Sequence, residues 1–374
     1  MRDADPSPGP RFARTTLSHK GRGLLCAMRQ CMTTGQASVA TRFAPDSALV
    51  HAATQEGYVL PVIDITNPRF AVPDDPETLR QLFAACSEEE RRRRRIPKFI
   101  MQWMLKSAAR RSRLVRSVFN GDATFLDGIT TYVMKLGADN LTPPYDSPVD
   151  KRMAASPHLT LLRLRTQQVA RLLADGLAAE LASAPSAPLH LINIAGGPAI
   201  DSMNTLITLN RRGGDLLRRP IVIHVLDPDD AGPFFGRNAL AALMKDGGPL
   251  HGLDIAFDHR GYDWDRPASL EELLRQLSAA NAVVAASTEG GLFEYGTDAA
   301  IVTNLTALRA AGVKHVAGSV TSAEESRRRM ITASRFKLIP RGLEGFAPLA
   351  DRAGYRIARA ETAQLSEQVL LEAA

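Results

Sequence analysis

Two short stretches carry the chemistry that is easiest to read in this chain. The first, LHLINIAGGPA at 189–199, runs from an apolar segment into a turn of small residues. The second, IVIHVLD at 221–227, follows after a helix-length interval and ends on a carboxylate. A strand, a small-residue turn, a helix and a second strand ending on an acid are what a nucleoside-binding βαβ unit requires. Small residues let backbone approach a ligand closely. The Asp227 carboxylate is suited to accept hydrogen bonds from a ribose diol.

Composition bounds the elements that must position these residues. The chain has 374 residues, 45% of them hydrophobic and 23% charged, ordinary for a globular protein of one large or two smaller domains. No run approaches the roughly eighteen apolar residues of a membrane span, so no membrane partner is expected. The three cysteines (Cys26, Cys31, Cys86) are too few for a disulfide framework and suggest a reducing, cytoplasmic compartment. The eight histidines are scattered without zinc-ligand spacing, and no metal is expected. The formal charge of +6 is local in origin: residues 91–119 hold eleven basic side chains and no acid. This stretch reads as a solvated helix face, or as a landing site for an anionic partner such as nucleic acid or a carrier protein. Nucleic acid is the less expected, because no aromatic-rich RNA-binding signature accompanies the charge.

Residues 1–55 are rich in Pro, Gly, Ser, Thr and Arg without a sustained period and are expected to be a disordered leader. Asp3 and Asp5 argue against an organelle-targeting peptide, and Met28 or Met32 is an alternative start. Residues 56–184 read as a helical cap, with helices at 77–85, 97–119, 125–136 and 161–181. Between the last two, a proline-rich loop at 140–148 is placed to fold over a site, and 182–188 is the clearest linker. From 185 onward strands at 190–195, 221–226, 253–257, 282–286 and 315–320 alternate with helices at 201–210, 233–245, 269–279 and 299–311. A helix at 343–353 and a strand pair at 354–361 and 367–372 close the chain. The fold class is therefore α/β: a doubly wound, mostly parallel sheet with a C-terminal antiparallel hairpin, plus an N-terminal α-helical cap.

Over residues 185–374 the chain resembles the class I S-adenosylmethionine-dependent methyltransferases. Their first motif, an acid followed by alternating small residues, aligns with Asn193, Ala195, Gly197 and Ala199, with Gly196 and Pro198 between them. Asn193 stands for the usual acid, and two of three expected glycines are alanine. The resemblance implies that this turn meets the amino-acid end of the cofactor and that the helix start near Asp201 favours its carboxylate. It implies that Asp227, followed by Pro228, holds the ribose, with Asp229 and Asp230 close by. Asp258 would accept from the adenine amine, with Tyr262 or another neighbour packing on the ring. The fourth strand end, with Ser287 and Thr288 followed by Glu289, Glu294 and Tyr295, would face both cofactor and acceptor. Glu289, Glu294, Tyr295 and His259 are the candidate catalytic residues, as general bases for an acceptor that must lose a proton. Arg165 either reaches the cofactor carboxylate or, more simply, is a surface arginine. The cap, with Trp103, Phe119, Phe125, Tyr132 and Met134 as core or pocket, would hold a small-molecule acceptor, and a homo-oligomer is compatible with the sequence.

Three other readings share some of these features. A nicotinamide-dependent oxidoreductase uses the same strand–turn–acid logic, but Gly196-Gly197-Pro198 does not supply G-x-G-x-x-G. A methyltransferase-like scaffold without catalysis accounts for the eroded glycines. An RNA methyltransferase would use the basic stretch at 91–116.

Overall fold

Apolar runs too long for alternation need cover on both faces, and the chain provides it with helices from both of its halves. The structure, a computed structural model, describes residues 49–120, 126–333 and 336–374. Most of the expected leader 1–55, Phe125 and the Phe119 side chain lie outside the described residues. A short antiparallel hairpin comes first, β1 (His51–Ala53) and β2 (Val59–Pro61). It was not anticipated from sequence, where 58–65 shows only an apolar run. Then come α1 (Pro76–Arg94), α2 (Lys98–Ala109), α3 (Arg113–Asn120), α4 (Gly128–Met134), α5 (Pro148–Ala154) and α6 (Pro157–Ser183). Asp75, Asp127, Ser147 and Ser156 cap α1, α4, α5 and α6 by accepting from backbone N–H groups in their first turns.

The expected single helix at 97–119 is two. Ser112 accepts from the Val115 N–H at 2.8 Å, and its hydroxyl donates to the fully buried Asp150, which also takes the Leu114 N–H at 3.1 Å. A buried carboxylate must be hydrogen-bonded, and Asp150 draws the donors at 112–114 towards itself and starts a new helix. The helix expected at 161–181 starts four residues earlier, at Pro157, and runs 27 residues as α6. It packs along the sheet and the first helix that follows it.

The second half alternates as β3 (Leu189–Ile194), α7 (Ile200–Arg212), β4 (Ile221–Leu226), α8 (Ala231–Leu243), β5 (Ile255–Arg260), α9 (Ala268–Ala279) and β6 (Val283–Thr288). It continues through α10 (Leu292–Tyr295), α11 (Asp298–Ala310), β7 (His315–Thr321), α12 (Glu325–Ala333), α13 (Gly342–Arg352), β8 (Tyr355–Thr362) and β9 (Ser366–Ala373). The seven strands lie in the order β5-β4-β3-β6-β7-β9-β8, with β3 to β7 parallel and β9 antiparallel to both neighbours. One apolar layer joins the sheet to α6, α7 and α8, and it is continuous with Leu60, Tyr132 and Leu136 of the preceding region. A second layer joins the other face to α9, α11 and α13. Leu191, Ile192 and Ile194 in β3 are almost wholly buried, each contributing about 1.5–3 kcal/mol. Among the described residues no helix is long and apolar enough to cross a membrane.

Candidate functional site

Chain order runs outward from β3 to β4 and β5, then resumes on the opposite side at β6, so the carboxyl ends of β3 and β6 form the switch-point crevice. The turn leaving β3 zigzags: Ala195, Gly197 and Ala199 all sit in the left-handed region, at φ of 54°, 57° and 55°. The two alanines cost roughly 1–2 kcal/mol each there, so the surroundings must impose the turn. Those surroundings are close backbones. A Cβ on Gly291 would stand 2.8 Å from the Ala195 carbonyl oxygen, and one on Gly236 2.5 Å from that of Pro198.

Asn193 is fully buried beneath the turn. Its amide nitrogen donates to Asp201 Oδ1 at 2.8 Å, with Ser287 Oγ at 3.1 Å and Ser202 Oγ at 3.3 Å. This explains the amide where the family has an acid: a carboxylate at 193 would face the Asp201 carboxylate, whereas the amide donates to it. A Cβ on Gly196 would strike Asn193 Oδ1 at 2.2 Å, so this glycine is required by its own neighbour. Burial, then the charge of Glu289, pushes Asp201 up to about 6. Asn193 Oδ1 and Asp201 Oδ2 are buried acceptors without a hydrogen-bond partner among the described residues.

Asp227 ends β4 and ties the two loops together. Its oxygens accept from the Gly197 and Asp229 N–H groups, both at 2.9 Å. Burial raises its pKa despite those two bonds. Each oxygen has a second lone pair, so the carboxylate still has room for two donors. Pro228 joins it to Asp229, whose carboxylate accepts from Ala231 and Gly232 at the start of α8. His259 shares a 3.0 Å hydrogen bond with the Asp227 carbonyl oxygen and lies 3.6 Å from Asp230.

Asp258 is bonded to Arg260 at 2.9 Å and His224 at 3.2 Å. Burial pushes its pKa up, but those two partners outweigh it and hold the group low. His224 in turn stacks on His190. Tyr262, expected against an adenine ring, is buried in the layer of α9 and α11 and donates to Asn304.

At the end of β6 the two acids are not free. Glu289 accepts from Lys135 and Arg165, and Arg165 also meets Glu294 at 3.0 and 3.2 Å. All four side chains are buried. Burial drives Glu289 upward, but Arg165 and Lys135 outweigh it and hold the carboxyl at about 2. A carboxylate that acidic is a weak proton acceptor at neutral pH. Burial, then the Glu294 charge, raises Tyr295 well above the ordinary phenol range. Thr288 accepts from Leu292 N–H at 2.8 Å and starts α10, and Ser287 serves Asn193. Arg165 is therefore no surface arginine, because a side chain with two buried acids beside it is held inside. Lys135 was not singled out from sequence. Its partner is 154 residues away, and no local pattern marks it.

The helical region also presses on the turn. Gly128, Gly197 and Gly232 meet backbone to backbone: a Cβ on Gly197 would stand 3.1 Å from Gly128 Cα, and one on Gly232 3.0 Å from Gly197 Cα. Tyr132 packs on Phe235, and Met134 is buried in the same layer, so both serve the core. The loop at 140–148 rests on the hairpin: Thr142 donates to the Val59 carbonyl, and Tyr145 stands edge-on to Tyr58, with Arg113 over both rings. Among the described residues no group of three His, Cys, Asp or Glu side chains is placed to hold a metal ion.

No family model and no curated protein sequence matches the chain. Among solved structures, it is similar to a "possible exported protein" from Bordetella parapertussis, at 13% identity and a TM-score of 0.47, covering 73% of this chain and 95% of that one. It is also similar to CalO1, a methyltransferase of calicheamicin biosynthesis solved with S-adenosylhomocysteine, at 16% identity and a TM-score of 0.32. A third is NcsB1, an O-methyltransferase of neocarzinostatin biosynthesis solved with S-adenosylmethionine and a naphthoic acid, at 17% identity and a TM-score of 0.32. Each of the latter two matches covers 50% of this chain, which spans about half the length of either protein, at 49%. The doubly wound sheet with its antiparallel final pair has the form the sequence resemblance implies.

Proposed function

We propose that the chain is an S-adenosylmethionine-dependent methyltransferase acting on a small molecule. The observation that carries this reading is Asp227, which fastens the Gly197 turn at the switch-point crevice and keeps two acceptor positions. The residues present fit the cofactor. Asp227 would hold the ribose hydroxyls, and the backbone of 195–199 with the start of α7 would hold the carboxylate. The unpartnered oxygens of Asn193 and Asp201 would accept from the ammonium. When bound, the sulfonium supplies an activated methyl group, so the protein's part is positioning and exclusion of water.

The four candidate bases bear on the acceptor. Glu289 is ionised and paired, Glu294 is engaged by Arg165, Tyr295 holds its proton, and His259 is tied to the Asp227 carbonyl. This arrangement favours an acceptor that needs no enzymic base. Three cysteines in 374 residues, with Cys86 unpaired and buried, support a cytoplasmic setting.

The Gly128–Gly197–Gly232 contact favours a second reading, a scaffold whose crevice is closed by its own helical region. Titration calorimetry with S-adenosylmethionine, S-adenosylhomocysteine and NADPH separates the two. Micromolar binding of the sulfur nucleosides alone supports the enzyme. Absence of binding to both leaves the scaffold.

A further inference from the structure

Helix α2 has an apolar side that the fold uses and two large aromatics that it does not. Ile100, Met101, Met104 and Leu105 are half-buried, and α2 rests against α3. Phe99 and Trp103 point away, 71% and 65% exposed. Trp103 lies four residues after Phe99 and three before the exposed Lys106, which is four before the exposed Arg110, and Lys98 precedes them, so aromatics and cations share one outer face. Leaving two such rings in water forgoes the burial that large aromatic side chains ordinarily gain on folding. An exposed patch of this kind marks an interaction site.

The charge identifies the occupant. Arg91, Arg92 and Arg93 are bridged to Glu88, Glu89 and Glu90 at 2.5–3.8 Å, but from Arg91 to Asn120 the chain supplies no acid of its own. A second copy of the chain, docked about a two-fold axis, would bring this cationic face against itself. The face is also a convex helix rather than a groove. A basic helix with Trp and Phe among Lys and Arg is the form that lies in a bilayer interface, rings among the acyl-chain ends and cations on headgroups. We propose that α2 docks the protein on a membrane surface rich in anionic lipid. This is surface attachment, not a span.

The test is flotation of the full-length protein with vesicles of phosphatidylcholine alone or mixed with phosphatidylserine. The expected result is flotation with the anionic vesicles only, a blue-shifted tryptophan emission, and release by salt. F99S/W103S should lower the partition coefficient by at least about tenfold with an unchanged melting temperature, and K98Q/K106Q/R110Q should do so independently. The proposal is overturned by failure of the wild type to float, or by equal flotation of F99S/W103S. It is equally overturned if sedimentation shows a dimer that W103S dissolves in the absence of vesicles, or if α2 binds RNA in preference to lipid.

Discussion

Replacing Arg165 by methionine keeps an unbranched apolar stem and removes the guanidinium that is hydrogen-bonded to Glu294. Arg165 is 5% exposed and Glu294 2%, and their closest approach is 3.0 Å. Glu289 keeps Lys135 in the variant, whereas Glu294 loses its hydrogen-bonded cation and keeps only the longer-range charge of Arg327. A buried charge stripped of its hydrogen-bonded partner costs up to about 3–5 kcal/mol, less what Arg327 offsets here, against about 1 kcal/mol or less for an exposed pair. Arg80 and Glu77, 74% and 57% exposed, provide the internal control. Urea unfolding at neutral pH should therefore separate R165M from R80M by at least about 2 kcal/mol, and R165M/E294Q should recover part of the loss. If R165M were no less stable than R80M, or if R165M/E294Q recovered none of the deficit, the account of the buried quartet would be wrong.

Asp227→Ala should weaken S-adenosylmethionine binding by about 1–3 kcal/mol in calorimetry, the scale of hydrogen bonds to a charged group. Unchanged affinity in a folded variant would move the ribose contact elsewhere. Gly197→Ala, at φ 57° and facing Gly128, should lower stability by about 1–3 kcal/mol in thermal melts, because the new methyl meets backbone rather than a flexible side chain. Burial and the neighbouring His224 hold His190 at about 4, below the ordinary 6.5. The unfolded chain therefore binds the extra proton, and stability falls as pH drops from 6.5 towards 4. After allowance for the exposed part of the ring, the loss should be at most about 3 kcal/mol, and His190→Gln should flatten it in chemical denaturation.

The parts of this protein legible in its sequence are those governed by local rules. Short apolar runs bounded by turn residues read as buried strands, and β3, β4 and β7 begin within one residue of where the pattern puts them. The final antiparallel pair and the position of Asp227 at a strand end follow for the same reason. What the sequence could not decide is who meets whom. The break between α2 and α3 depends on Asp150, some 36–38 residues away from its donors. The Asn193 amide makes sense only once Asp201 stands 2.8 Å from it. Lys135, Arg165, Glu289 and Glu294 read individually as surface charges, or as a base and its neighbours. Inside the protein each is tolerable only with its partner, and the partner is chosen by the packing of α4 and α6 against the end of β6. Periodicity records how much of a residue must leave water, and only the tertiary structure records which group replaces that water.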